Sequence, residues 1–198
     1  MSAEPRPAAT VIVLRRGGRH GEQGVETLMV RRNPESRFMP GVWVFPGGGV
    51  SDEDRVDGDD ELAHVACAIR ELREETALEL DAGELVAWSR WITPELAPIR
   101  FDTRFYVALA PPHAKAEADG GEVVDIAWLN PARALESHGA DELKLVFPTI
   151  KHLESLLPHT TVDEVIAAAR KRTVEPILPR VVGDETDWRV VLPGDPEY

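Results

Sequence analysis

The sequence predicts a mixed α/β fold, with one long helix on one face of a mixed sheet and later helices on another. Three observations predict it. Short apolar, β-branched runs recur along the first two thirds of the chain, separated by glycine- and proline-rich turns. One segment, from about Glu61 to Ala77, instead shows helical periodicity, with Leu62, Val65, Ala66, Ile69 and Leu72 as its apolar stripe. Three further helical segments follow the last of these strands. At 198 residues the chain is long enough for one domain with a sizeable core.

Taken in order, residues 1–8 are Pro- and Ala-rich and read as loosely ordered. Thr10 to Leu14 and Glu26 to Arg32 read as two strands joined by the glycine-rich hairpin loop Arg15 to Gly24. Val42 to Phe45 is a short strand that feeds Pro46-Gly47-Gly48-Gly49. Ser51 to Glu61 is strongly acidic and superficially suggests a calcium loop. The spacing fails, because Val56 and Asp57 fall where a ligand and a glycine belong, so the segment reads as a solvated insertion. Asp59 or Asp60 caps the helix that follows. On that helix Cys67 reads as a small core residue and His64 as exposed and not catalytic. Glu84 to Thr93, Asp102 to Ala110 and Glu122 to Leu129 read as strands. In an unbroken first strand Trp88 and Trp91 point to opposite faces, one into the core and one available to stack on a base. Asn130-Pro131 opens a short helix to about Ser137. Pro148 to Leu157 and Val162 to Arg172 read as further helices, the second capped by Thr160 or Thr161. The proline-rich tail, 176–198, holds one strand candidate, Trp188 to Leu192.

Composition narrows the function. A net charge of −13 at pH 7 argues against nonspecific binding of nucleic acid or anionic membranes. It leaves room for a phosphorylated small molecule, because metal ions invert the local field. One cysteine excludes an internal disulfide, no apolar run spans a bilayer, and the N-terminus lacks a signal-peptide core. The expected compartment is the cytoplasm.

The chemistry concentrates in residues 45–78. Glu71, Glu74 and Glu75 are spaced to share one helix face, where bare carboxylates repel each other. A bound divalent cation gives them a purpose, because hard cations such as Mg²⁺ take oxygen ligands. Arg70 stands i,i+4 from Glu74 and can hold it. The glycines just upstream let the backbone approach a ligand or metal closely.

Gly48, five residues, Asp54, and then Arg70-Glu71-Leu72-x-Glu74-Glu75-x-Ala77-Leu78 resembles the Nudix box. Three departures stand out. Asp54 replaces a glutamate, fifteen residues (55–69) separate it from Arg70 where the family has seven, and Ala77 replaces the glycine that ends the helix, which suggests a different helix end. The resemblance implies a Nudix-type α/β/α sandwich over about residues 8–157, with 158–198 as a C-terminal extension of the same domain. It also implies hydrolysis of a diphosphate in a nucleoside diphosphate derivative, with Mg²⁺ or Mn²⁺. The implied roles are Glu74 and Glu75 as principal metal ligands, Glu71 as ligand or base and Arg70 as orienter. Backbone around Gly47 and Gly48 completes the metal shell and contacts substrate, and a later carboxylate joins the site, with Glu122 ahead of Glu117 and Asp125. Homodimers are common in the family, which makes a homodimer a candidate assembly.

A second pattern lies upstream. Leu28-Met29-x-Arg31, Arg37, Gly41 and Phe45-Pro46-Gly47-Gly48 have the spacing of the motif that precedes the box in coenzyme A diphosphatases of this superfamily. By that resemblance Arg31 or Arg37 binds an extra substrate phosphate. The substrate is then coenzyme A or an acyl-CoA, cut to 3′,5′-ADP and 4′-phosphopantetheine. The alternatives are NADH, ADP-ribose or another nucleotide as substrate, or a non-catalytic domain that senses a nucleotide.

Overall fold

The computed structural model describes residues 3–17, 24–55, 58–183 and 187–198. The central sheet carries β1 (Arg6–Gly17), β2 (Gly24–Arg32), β3 (Trp43–Val44), β4 (Gly47–Gly49), β5 (Val86–Ile92), β6 (Phe101–Leu109), β7 (Val123–Leu129) and β8 (Pro176–Ile177). Helix α1 (Asp60–Thr76) precedes β5, while α2 (Pro131–Gly139), α3 (Phe147–Leu156) and α4 (Val162–Lys171) follow β7. A separate hairpin of β9 (Arg180–Gly183) and β10 (Trp188–Val191) ends the chain.

The fold turns on β1. It runs parallel to β6 from Arg6/Phe101 to Leu14/Leu109. On its other side it divides: its C-terminal half pairs with β2 (Leu14↔Thr27), and its N-terminal half pairs with β4 (Ala8↔Gly49, Thr10↔Gly47). The glycine loop is therefore a strand built into the sheet. Residues 1–8 were expected to be loose. Instead β1 begins at Arg6, whose N–H donates to the Arg100 carbonyl at 2.9 Å.

Alternation along these strands builds two cores. Ile12, Leu14, Phe105 and Val107 point toward α2, α3 and α4, where Ala134, Leu153, Leu156, Val162, Val165 and Ala169 meet them. Ala9, Val11, Val13, Tyr106 and Ala108 point toward α1 and pack on Cys67, Ala68 and Leu72. The extension beyond residue 157 thus belongs to the main core through α4, and β8 adds to the sheet edge beside β5. Cys67 is a buried core residue, and burial pushes its thiol up to about 12.

Several expectations are corrected. The buried stripe of α1 is Ala63, His64, Cys67, Ala68 and Leu72, continuing to Glu75, while Leu62 is exposed. His64 is thus buried, with Nδ1 at 2.6 Å from the Asp60 carbonyl oxygen. Trp88 and Trp91 both enter the α2–α4 core, because a β-bulge between Ala87 and Ser89 breaks the alternation. Neither indole reaches the cleft described below, so neither is available to stack on a base there. The predicted caps are in place, since the Asp59 carboxylate accepts from the N–H groups of Glu61 and Leu62 and Thr161 caps α4, and Asn130 caps α2 as well. Ala77 ends α1 in the left-handed conformation at φ 57°, the geometry a glycine would take, so the helix end is unchanged. The centre of the hairpin loop (18–23) and Val56 and Asp57 lie outside the described residues.

Candidate active site

Where β1 divides, a cleft of about 610 Å³ opens over the N-terminal end of the sheet. Its walls are Gly47, Gly48 and Gly49 of β4 and the carboxylate face of α1. Its floor is Ala8 and Thr10 of β1 and Thr103 of β6. Glu71, Glu74, Glu75, Arg70 and Glu122 all line it.

Sterics fix Gly47 against the backbone and set Gly48 against a side chain. A Cβ on Gly47 would collide with the carbonyl oxygen of Ala9, and one on Gly48 would collide with the Glu71 carboxylate. Glu71 and Gly48 are thus packed face to face. The Gly47 N–H donates to Glu75 Oε2 at 3.0 Å, which ties helix to strand.

Arg70 is the hub of the charge network. Its Nε and Nη2 donate to the two oxygens of Asp54 at 2.9 and 2.8 Å, a bidentate fork. Its Nη1 donates to Glu71 at 2.8 Å and to Glu74 at 3.0 Å, and Nη2 also reaches the Gly49 carbonyl at 3.2 Å. Asp54 accepts from the N–H and hydroxyl of Ser51 as well, at 2.8 and 2.9 Å. Burial pushes the Asp54 carboxyl up, but the Arg70 and Ser51 hydrogen bonds outweigh it and hold Asp54 below its ordinary value. The aspartate in place of glutamate therefore anchors Arg70.

The longer spacer between Asp54 and Arg70 is absorbed mostly as helix. α1 starts ten residues before Arg70, and its first turn docks on β6 through Arg104, which pairs with Asp60 and Glu61. The Tyr106 hydroxyl also donates to Glu61 at 2.9 Å. The extension lies at the helix end away from the carboxylates.

Glu75 is the electrostatic opposite of Asp54. It is only 5% exposed, and burial pushes its carboxyl up to about 8. The Gly47 N–H and the charge of Arg32 pull the other way, while Glu71 and Glu122 add to the rise. Burial likewise raises Glu71 against the pull of Arg70, with Glu74 and Glu122 adding to the rise. A divalent cation fits this donor set: hard oxygens, an excess of negative charge and a glycine whose missing Cβ lets the Glu71 carboxylate lie against the backbone. Among the described residues no three such side chains already converge on one point, because Arg70 holds both Glu71 and Glu74.

The other predicted residues divide. Glu122 reaches the cleft, on a turn organised by Asp119, whose carboxylate accepts from the N–H groups of Gly121, Glu122 and Val123. Glu117 and Asp125 do not line it. Arg31 is not brought to the cleft either; it lines a separate recess with Trp43, Asp141, Glu142 and Lys144. Arg37 is exposed and outside the cleft wall. The arginine that faces the carboxylates is Arg32, which ordinary alternation from Leu28 puts on the α1 side of β2 while Arg31 points to the other side. Sequence reasoning also missed Phe38, Phe101 and Asp119, which line the same cleft. Phe101, next to the strand predicted from Asp102, was the one carrying a signal.

Comparison with known proteins agrees with this geometry. The NUDIX domain family model matches residues 4–149. The human acyl-coenzyme A diphosphatase NUDT19 is 28% identical over 189 residues, 89% of this chain and 48% of that protein. The chain spans about half the length of the curated relatives it matches. A Nudix hydrolase from Alicyclobacillus acidocaldarius superposes with a TM-score of 0.74 at 25% identity, over 83% of this chain and 96% of that one. The Nudix domain of Shewanella oneidensis NrtR, solved with ADP ribose, shares the fold at TM-score 0.59 and 18% identity, over 79% and 88% of the two chains. With the family model spanning most of the chain and the box carboxylates lining the cleft, this chain belongs to the Nudix family.

Proposed function

We propose that this protein is a metal-dependent hydrolase that cleaves the diphosphate linkage of a nucleoside diphosphate derivative. The observation that carries the reading is the convergence of Glu71, Glu74, Glu75 and Gly48 on one cleft, with Arg70 bonded to two of those carboxylates. Glu74 and Glu75 are the principal ligands for Mg²⁺ or Mn²⁺, Glu71 is a further ligand or the general base, and backbone at Gly47 and Gly48 contributes to the metal and substrate contacts. When bound, the cation lowers the pKa of a water and neutralises charge on the phosphate oxygens. The protein's own residues do the rest. Gly47 N–H fixes Glu75, and Arg70, itself clamped by Asp54, fixes Glu71 and Glu74. Arg32 faces the same cleft and supplies a guanidinium for substrate phosphate. Glu122 stands opposite α1 as the later carboxylate, able to accept a proton from attacking water.

For the substrate we favour coenzyme A or an acyl-CoA. The human acyl-coenzyme A diphosphatase among the relatives supports this, as does the upstream pattern around Leu28, Met29 and Arg31. In this reading Arg31 and Arg37 take the extra phosphate only if the substrate extends beyond the cleft, and Arg32 is the nearer candidate. ADP-ribose, NADH or another nucleotide is the second reading, supported by the likeness to the NrtR Nudix domain solved with ADP ribose. We further propose that residues 1–198 act as one unit, with homodimeric assembly and cytoplasmic location as expectations; no helix is long and apolar enough to cross a membrane among the described residues.

A product assay tests the reading. The protein is incubated with CoA, acetyl-CoA, NADH, ADP-ribose and dinucleoside polyphosphates, with Mg²⁺ or Mn²⁺, beside Glu75→Gln, and the products are separated by mass. Metal-dependent release of 3′,5′-ADP from CoA by the wild type alone is expected. Turnover of another member keeps the hydrolase and discards the CoA reading. No turnover by folded protein overturns the proposal in favour of a binding role.

A further inference from the structure

We infer that Phe38 and Phe101 form the platform on which the base of the substrate stacks. The inference rests on the diphosphate-hydrolase reading above and names where the nucleoside end of that substrate lies.

The cleft has two chemically different ends. One holds the carboxylates and Arg70; the other ends at two aromatic rings, Phe38 and Phe101, with centroids 6.0 Å apart and planes tilted by 58°. Phe38 is 41% exposed, unusual for a phenylalanine that already touches another ring. Sheet register fixes the layout. Gly49 pairs with Ala8, Ala8 with Thr103, and Phe101 lies two residues from Thr103, facing the same side. Phe101 is therefore about 10 Å across and about 7 Å along the sheet from the glycine strand, by ordinary strand spacing and rise. That offset suits a nucleoside attached to a diphosphate held at the carboxylates.

The loop carrying Phe38 is anchored. Arg32 Nε donates to the Phe38 carbonyl at 3.3 Å, so the arginine facing the carboxylates also positions the ring. Met39 (φ 50°) and Gly41 (φ 69°) turn the chain immediately afterwards, which keeps Phe38 over the cleft. A diphosphate alone has no use for an exposed ring resting on a half-buried one. A planar base does, because every base has a π-face that stacks on an aromatic side chain without needing matched hydrogen bonds. Arg32 is a positioning residue in this scheme, and the two phenylalanines make the contact.

Equilibrium binding separates this inference from the hydrolase reading. The affinities of the four common nucleoside 5′-monophosphates and of ribose 5-phosphate are measured by calorimetry on wild type, Phe38→Ala, Phe101→Ala and Phe101→Tyr. At least one nucleotide should bind the wild type more tightly than ribose 5-phosphate. Each alanine variant should lose roughly five- to a hundredfold of that advantage, with ribose 5-phosphate unchanged and Phe101→Tyr close to wild type. In turnover the loss should appear mainly in KM. Wild-type affinity no better for any nucleotide than for ribose 5-phosphate, or alanine variants that keep the advantage, would overturn the platform even if metal-dependent hydrolysis is intact. Nucleotide preference lost in the variants without any turnover by the wild type would keep the platform and overturn the hydrolase.

Discussion

Asp54 and Glu75 are equally buried carboxylates, 3% and 5% exposed, on either side of one glycine loop, yet their charges are settled in opposite ways. Asp54 meets the Arg70 fork and two Ser51 donors and is held ionised below its ordinary value. Burial drives Glu75 up to about 8, with one backbone N–H and the more distant charge of Arg32 pulling down and neighbouring carboxylates pushing up. The difference separates a structural acid from a functional one. A positive charge is bonded directly to Asp54, whereas none is bonded to Glu75, and in the proposed function a bound cation takes that place.

The largest expected effect follows from that contrast. Glu75→Gln keeps the shape and the Gly47 hydrogen bond but removes the charge, so the rate should fall on the order of a hundredfold or more with thermal stability maintained. An unchanged rate in folded protein would remove Glu75 from the metal site. Arg70→Met attacks the other side. It strands a buried, ionised Asp54 and should cost about 2–3 kcal/mol of stability, somewhat less than for a fully buried pair because Arg70 is partly exposed. Urea denaturation at constant m-value checks it.

A third test uses pH, and the two acids should answer with opposite sign. Glu75 is raised in the fold, so metal-free protein binds more protons than the unfolded chain between about pH 4.5 and about 8. Its contribution to stability is complete below that window and is lost as pH rises through it. Asp54 is lowered, so its contribution is present above its ordinary value of 3.8 and is lost as pH falls through the lower folded value. Buried His152, held down to about 4, makes stability rise with pH up to its ordinary value of 6.5 and offsets Glu75 there, so in EDTA the decline in melting temperature should show between pH 6.5 and 8, and Glu75→Gln should reduce it. Asp54→Asn should leave the slope and lower stability throughout. A decline that persists undiminished in Glu75→Gln would assign it to another group.

The smallest effect concerns the end of α1. Ala77 holds φ 57° with its N–H donated to the Arg73 carbonyl at 2.9 Å. Ala77→Gly removes the left-handed strain at some cost in chain entropy and should stabilise by about 0.5–1 kcal/mol. Loss of stability would mean that the alanine methyl is not strained there.

What the sequence made legible follows physical range. The Glu71–Glu74–Glu75 face and the Asp59 cap depend on contacts within a turn or two of one helix, and helical spacing encodes those directly. The packed face of α1 does not. Leu62 is the more hydrophobic residue, but docking of Asp60 and Glu61 on Arg104 rotates His64 inward in its place. Trp88 and Trp91 share a core only because of a bulge at Trp88. An irregularity of one residue inverts every side chain beyond it, and no local pattern marks where it falls. The pairing of β4 with β1 is also long-range, and it is what places Gly48 against Glu71.

The most direct measurement is a titration of Mn²⁺ into metal-free protein, followed by electron paramagnetic resonance of the free ion, for wild type, Glu75→Gln and Asp54→Asn. The account predicts a bound ion in the wild type and at least a tenfold loss of affinity in Glu75→Gln. Asp54→Asn should lose less affinity and show its main effect in melting temperature. Full affinity in Glu75→Gln, or a loss confined to Asp54→Asn, would contradict the division between the two carboxylates.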